Sequence, residues 1–216
     1  MTATHPAGLP HAELVEAWLR ARSLSRGVPQ PVAERGGWRV ETASEKEIRR
    51  YVFAAPGDGL RAVAEAVTEP RIALKLCADE NIMRACLPPR WTLLPGAFLM
   101  VCDTPAPGDV RLPGAYRLEL STRDAISAVR ILTGTGALAA SGYAAECAGA
   151  FVYDRIVTEE AHRRLGLGRA VMIALASTRR SQAAQEVLVA TQAGRALYAT
   201  LGWTVRAPYT TAIIPE

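Results

Sequence analysis

The order of apolar and polar positions divides the chain into two textures. Over residues 11–24, Leu14, Trp18 and Leu19 share one face, with Val15 and Leu24 near its edge, and this predicts an amphipathic helix. Residues 25–37, SRGVPQPVAERGG, are too rich in Pro and Gly to hold regular structure for long. Short strands are expected at 38–41 and 48–54, the second with Arg49 and Arg50 on a wet side. A turn at Ala55-Pro56-Gly57-Asp58 leads to a short helix over 59–67. Ile72, Leu74 and Leu76 alternate as a strand over 71–77. Asp79 can cap a helix that runs to about Cys86 and stops before Pro88-Pro89. Residues 97–102 are a continuous apolar strand. Trp18, Trp38 and Trp91 read as core or interface residues.

Residues 103–114, DTPAPGDVRLPG, hold three prolines and two glycines and are the candidate linker. The expected organisation is therefore an α/β N-terminal lobe over 1–110, either a degenerate half or a substrate lobe, and a second domain over 111–216. In the second domain, strands at 116–120, 125–132, 137–145 and 150–157 are too closely spaced for crossover helices and form an antiparallel meander. A helix follows Gly166, and EVLVAT (186–191) is a buried strand that a crossover places parallel to 150–157. A helix over 193–201 ends at Gly202, and strands at 204–205 and 209–214 close the sheet. YTTAII at 209–214 is apolar enough that, as an exposed edge, it would need covering; a homodimer through edge strands is one way to do so.

Composition narrows the class. Half of the 216 residues are hydrophobic and 21% are charged, which describes a globular chain with a sizeable core. No apolar run reaches the roughly 18 residues of a membrane span, and MTATHPAGLP lacks the regions of a signal peptide, so a cytoplasmic protein without a membrane partner is expected. The net charge of +4 comes almost wholly from Arg, Lys46 and Lys75 being the only lysines. Such a surface suits an anionic partner such as a nucleotide cofactor, but no block of like charge points to nucleic acid. Cys77, Cys86, Cys102 and Cys147 form no C-x-x-C and, with only three histidines, no metal-ligand spacing, so buried free thiols and no metal are expected.

The chemistry concentrates in FVYDRIVTEEAHRRLGLGRA, residues 151–170. A strand feeds a glycine-rich turn that opens a helix, which is an anion site: glycine lets the backbone approach, and the first helical amides point outward unpaired. With EVLVAT, Ala196-Leu197-Tyr198 and Leu201-Gly202-Trp203 in the same order, this stretch resembles the GNAT superfamily, the acyl-CoA-dependent N-acyltransferases. Arg163, Gly166 and Gly168 stand at the positions of that family's [QR]-x-x-G-x-[GA] element. Thr191 stands where the family often has Asn, and Glu160 where it often has Pro.

The resemblance implies a mixed, mainly antiparallel sheet flanked by helices, and transfer of an acetyl group from acetyl-CoA to a primary amine, most simply a small molecule, by direct attack. It places the pyrophosphate on the amides of Arg164, Leu165, Gly166, Leu167, Gly168, Arg169 and Ala170, with Arg163 assisting. The pantetheine arm would lie along Ile156, Val157 and Thr158, with Thr191 opposite. Tyr198 would protonate the departing thiolate. Asp154, in an otherwise apolar run, is the leading candidate for the base that receives the amine proton, against an ion-pair role with Arg155 or Arg130; Glu146 is the second. Glu159, Glu160 and His162 read as solvent-facing or loop-lining. Two other functions share these residues: a CoA-binding regulatory module without turnover, and an acyltransferase acting on a protein N-terminus or a charged tRNA.

Overall fold

Two strand–helix–strand crossovers set the architecture. The computed structural model describes residues 12–103 and 108–216, so the expectations for residue 11 and for part of the linker lie outside it. The N-terminal elements are α1 (Ala12–Arg26), β1 (Val32–Glu34), β2 (Gly37–Glu41), β3 (Arg49–Phe53), α2 (Asp58–Ala66), β4 (Ile72–Leu76), α3 (Glu80–Arg84), β5 (Thr92–Leu93) and β6 (Ala97–Cys102). Asp79 caps α3, accepting from the amides of Asn81 and Ile82. The C-terminal elements are β7 (Tyr116–Arg123), β8 (Ile126–Thr133), β9 (Leu138–Cys147), β10 (Ala150–Thr158), α4 (Leu167–Ala176), β11 (Gln185–Thr191), α5 (Gln192–Ala199) and β12 (Thr204–Ile213). A 3-10 turn, Glu160–His162, precedes α4.

The strands join one mixed sheet in the order β1-β2-β3-β4-β12-β6-β11-β10-β9-β8-β7, with β5 pairing β12. β3–β4 and β10–β11 are parallel, because α2 and α4 carry the chain back between them; every other pair is antiparallel. The sheet runs unbroken across residue 110. β6 lies between β11 and β12, from Glu186↔Cys102 to Tyr209↔Ala97, while the far end of β12 pairs β4 through Thr210↔Leu76.

This arrangement corrects three sequence expectations. YTTAII is no edge: it forms most of the inner half of β12, with Tyr209, Thr210 and Ala212 buried, which removes its need for a covering partner. The strands expected at 204–205 and 209–214 are one, continued through an irregularity between Val205 and Ala207. Arg50 is buried on Glu47 instead of facing water with Arg49, because successive strand residues point to opposite faces.

The same alternation places the helices that build the site. On β10, Ala150 and Val152 pack in one cluster with Trp18 and Leu19 of α1, and Phe151 and Tyr153 pack in another with Val171 and Leu175 of α4. α1 and α4 therefore cover opposite faces of the sheet at this point.

Candidate active site

β10 and β11 stay paired for only three residues. Their register runs Ala150↔Gln185, Phe151↔Glu186, Val152↔Val187 and then stops, although β11 goes on pairing β6 as far as Thr191. On its other side β10 carries an irregularity: Asp154 opposes Tyr143 and Val157 opposes Ser141, so two residues on β10 face one on β9. Arg155 takes up the extra length at φ 54°. Arg155 and Ile156 thus have no register partner on either side, and their backbone groups border an open wedge. The bulge also reverses the alternation. Asp154 lies on the α1 face, and Ile156 packs in the α4 cluster. Gly142 makes room opposite, since a Cβ there would come within 2.6 Å of Ile156 and Val171 side-chain atoms.

Past the wedge the chain makes the turn that starts α4. Arg164 and Gly166 both adopt left-handed backbone, at φ 65° and 78°. The first amide bonded back into the helix is that of Ala170, 3.0 Å from the Gly166 carbonyl. The amides of Leu167, Gly168 and Arg169 therefore have no preceding turn to bond. Ala170 is removed from the anion-binding set expected from the sequence, because its amide is already used and the residue is buried. The cleft here has a volume of about 570 Å³. Ile156, Val157 and Thr158 line one wall, Arg163, Arg164, Gly166, Leu167, Gly168 and Arg169 the end, and Thr191, Leu197 and Tyr198 the other wall. Leu165 borders the adjoining cavity of about 620 Å³ with Arg111 and Arg169. Thr191 accepts from the Gly194 amide and so caps α5, which aims that helix start at the cleft. The pocket is partly apolar and ends in unpaired amides and arginines, a lining suited to an extended ligand with an anionic end.

Tyr198 separates this cleft from a second cavity of about 250 Å³ on the α1 side, and it lines both. Its ring is buried next to Trp203, and burial pushes its phenol up to about 12. Among the described residues its hydroxyl has no hydrogen-bond partner, which leaves the O–H available to a ligand. The second cavity is walled by Trp18, Arg22 and Arg26 of α1, by Tyr153 to Ile156 of β10, and by β11.

Asp154 does not present the surroundings of a base. Arg26 binds it through both oxygens, at 2.6 and 2.8 Å, Ser25 donates at 3.2 Å, and Arg155 and Arg22 approach to 3.4 and 3.7 Å. Burial pushes its pKa up, but the Arg26 hydrogen bonds and the three arginine charges outweigh this and hold it below the usual aspartate value. Its ion pair is with Arg155, as one sequence alternative had it, and chiefly with Arg26; Arg130 pairs with Glu119 instead. Glu146 accepts from the backbone amides of Arg180 and Ser181, and so ties down the turn after α4 instead of facing the wedge. His162 shares a 2.9 Å hydrogen bond with Tyr116 beside the anion turn.

Replacing Asp154 by Asn should cost about 3 kcal/mol at neutral pH, the low end for a broken buried pair because Arg26 keeps 30% exposure. A folded pKa below the unfolded one contributes stability above the usual aspartate range and loses it as pH falls through the folded value. The difference between native protein and Asp154→Asn in denaturant melts should therefore narrow in acid; a gap that stays constant would contradict the ion-pair account.

The same strand–Gly-x-Gly–helix–strand order occurs once more, as β3, Gly57-Asp58-Gly59, α2 and β4. That copy is closed. β3 and β4 stay paired along all five residues, and a Cβ on Gly59 would lie 1.6 Å from the Arg35 carbonyl oxygen, so the β1–β2 turn occupies the space above the helix start. Arg22, Arg26 and Gly142 are the site residues that the sequence did not single out, and Trp18, read there as a core or interface residue, lines the second cavity as well.

No protein-family model and no curated protein matches this sequence. Solved structures do match the fold. A GCN5-related N-acetyltransferase from Kribbella flavida superposes with a TM-score of 0.63 at 16% identity, over 95% of each chain. A GCN5-related N-acetyltransferase-like protein from Streptococcus suis gives 0.59 at 13% identity over 83% of this chain and 84% of that one. A GCN5-related N-acetyltransferase from Sphaerobacter thermophilus gives 0.55 at 10% identity over 84% and 78%. The protein therefore has the GNAT fold, as the resemblance over roughly residues 115–216, meander included, implied. Among the described residues no group of His, Cys, Asp and Glu is placed to hold a metal ion, and no helix is long and apolar enough to cross a membrane.

Proposed function

We propose that the protein is an N-acetyltransferase that moves the acetyl group of acetyl-CoA to a primary amine by direct attack. The donor occupies the α4-side cleft and the amine the α1-side cavity. The observation that carries this reading is the opening of the β10–β11 pair beyond Val152 and Val187, with Tyr198 lining the cavities on both sides. Acetyl-CoA supplies the activated acyl thioester, and the chain supplies the rest. The free amides of Leu167, Gly168 and Arg169 and the guanidiniums of Arg163, Arg164 and Arg169 suit the pyrophosphate. The unpartnered backbone of Arg155 and Ile156 can bond an extended pantetheine arm as a neighbouring strand would, and can donate to the thioester carbonyl.

Tyr198 is assigned to the departing sulfur. A phenol at about 12 is not stripped by a thiolate whose conjugate acid sits near 8.5, so its contribution is a strong donated hydrogen bond. Asp154 is assigned a positioning role, as the anchor that orders Arg22, Arg26 and Arg155 along the acceptor cavity. Among the described residues it is the one carboxylate lining that cavity, so the amine proton is assigned to water at the cavity mouth. Residues 1–110 serve in this reading as the acceptor lobe, through α1, and as a degenerate second half whose own helix start is filled.

The test is incubation with acetyl-CoA and a panel of primary amines, followed by mass analysis of products and of the acid-quenched protein. Acetylated amine equal to the CoA released, with no acetyl group left on the chain, is the expected result. Acetyl-CoA binding without product on any amine would favour a binding module instead.

A further inference from the structure

The α1-side cavity carries positive charge that the described residues do not neutralise. Arg22, Arg26 and Arg155 face it, and among the described residues lining it Asp154 is the one carboxylate. Arg26 takes both oxygens of that carboxylate. Arg155 is held by the Ser25 carbonyl at 2.5 Å and by the Tyr143 ring, 3.9 Å from its centroid. Arg22 is left over. Its side chain is 18% exposed, and its closest carboxylate contact is 3.7 Å, beyond hydrogen-bond reach. Its guanidinium stands 5.3 Å from the Trp18 ring. Behind it, Arg50 and Lys75 share the single carboxylate of Glu47, so the imbalance is not relieved from the sheet. The Tyr209 hydroxyl, edge-on to Trp18 through its ring, is buried without a partner among the described residues.

The Arg22 donors bond no group among the described residues and reach solvent only through the cavity, so an arriving anion can take them at little cost in lost hydration. The planar guanidinium fork matches the oxygens of a carboxylate or phosphate. We infer that the acceptor is a small amine carrying its own carboxylate or phosphate, which Arg22 binds on the α1 side while the amine reaches the wedge beside Tyr198. This inference rests on the transferase reading above. The cavity, at about 250 Å³, lies just under the usual span of small-ligand sites, about 300–1,000 Å³, which fits a metabolite-sized acceptor.

The test is calorimetric titration of the full chain, in the presence of CoA, with matched amines: amino acids beside their carboxamides, and amino-sugar phosphates beside the free amino sugars. The charged member of at least one pair should bind about tenfold or more tightly than its neutral partner, the size of a charge-assisted hydrogen bond. The pair that discriminates tells carboxylate from phosphate. Arg22→Gln should abolish the preference, and Arg22→Lys should restore part of it, both without changing acetyl-CoA affinity. The inference is overturned if no charged amine outbinds its neutral partner, or if Arg22→Gln weakens both members alike. Failure of the transferase reading shows separately, as an absence of acetyl-CoA binding or of acetylated product, while the amine preference is read from binding alone.

Discussion

Gly166→Glu should abolish acetyl-CoA binding and leave the fold standing. A Cβ at this position meets nothing within 4 Å, so the new side chain is accommodated on the cleft side without a clash. The backbone there sits at φ 78°, and a non-glycine residue pays roughly 1–2 kcal/mol for that conformation, which a domain of this size tolerates. What it does not tolerate is a carboxylate at the start of α4, where the unpaired amides would receive a diphosphate. Losing two charge-assisted hydrogen bonds there, with charge repulsion added, amounts to at least about 10²-fold in affinity. Gly166→Ala carries the backbone strain without the charge and should lose much less. Equilibrium dialysis with acetyl-CoA, alongside thermal melts, separates the two. Equal losses in both variants would mean that the turn matters as scaffold and not as a phosphate site.

Tyr198→Phe should lower kcat by about 10²-fold, the scale for removing one donor from developing negative charge, with acetyl-CoA affinity nearly unchanged. The ring would still fill its place beside Trp203, and only the O–H would go. The pH profile carries independent information. A phenol pushed up to about 12 stays protonated throughout the ordinary tyrosine range near 10, so kcat should not fall as pH rises through that range. Loss of affinity in step with kcat would make Tyr198 a packing residue. A descending limb near 10 that vanishes in Tyr198→Phe would show that the phenol titrates in the enzyme without the burial seen here.

Much of the C-terminal half could be read from the sequence because local chemistry decides it. The Gly166 turn, the apolar run of β11 and the closely spaced strands of the meander each declare themselves within about ten residues. The strand exchange did not show, because nothing local distinguishes a strand that closes its own half from one inserted into the other. Ala97–Cys102 was recognised as a strand, but its place between β11 and β12 is set by a partner almost ninety residues away. The fate of YTTAII follows from the same exchange. The cleft itself was legible to the extent that Tyr198, Ile156 and Val157, singled out by the sequence, come together along its walls. The bulge at Arg155 was not, although it turns Asp154 and Ile156 to opposite faces. Asp154 looked isolated in an apolar strand because its partners, Arg22 and Arg26, come from a helix more than 120 residues earlier.

The proposed donor site needs the open β10–β11 pair, and the closed β3–β4 turn should take no second acetyl-CoA. Calorimetric titration of the native protein with acetyl-CoA tests this most directly. Saturation at one equivalent per chain, with a Kd on the order of micromolar, is the result that follows from an open β10–β11 pair and a filled β3–β4 turn. Two equivalents per chain would contradict the closed N-terminal half, and no binding would contradict the account as a whole.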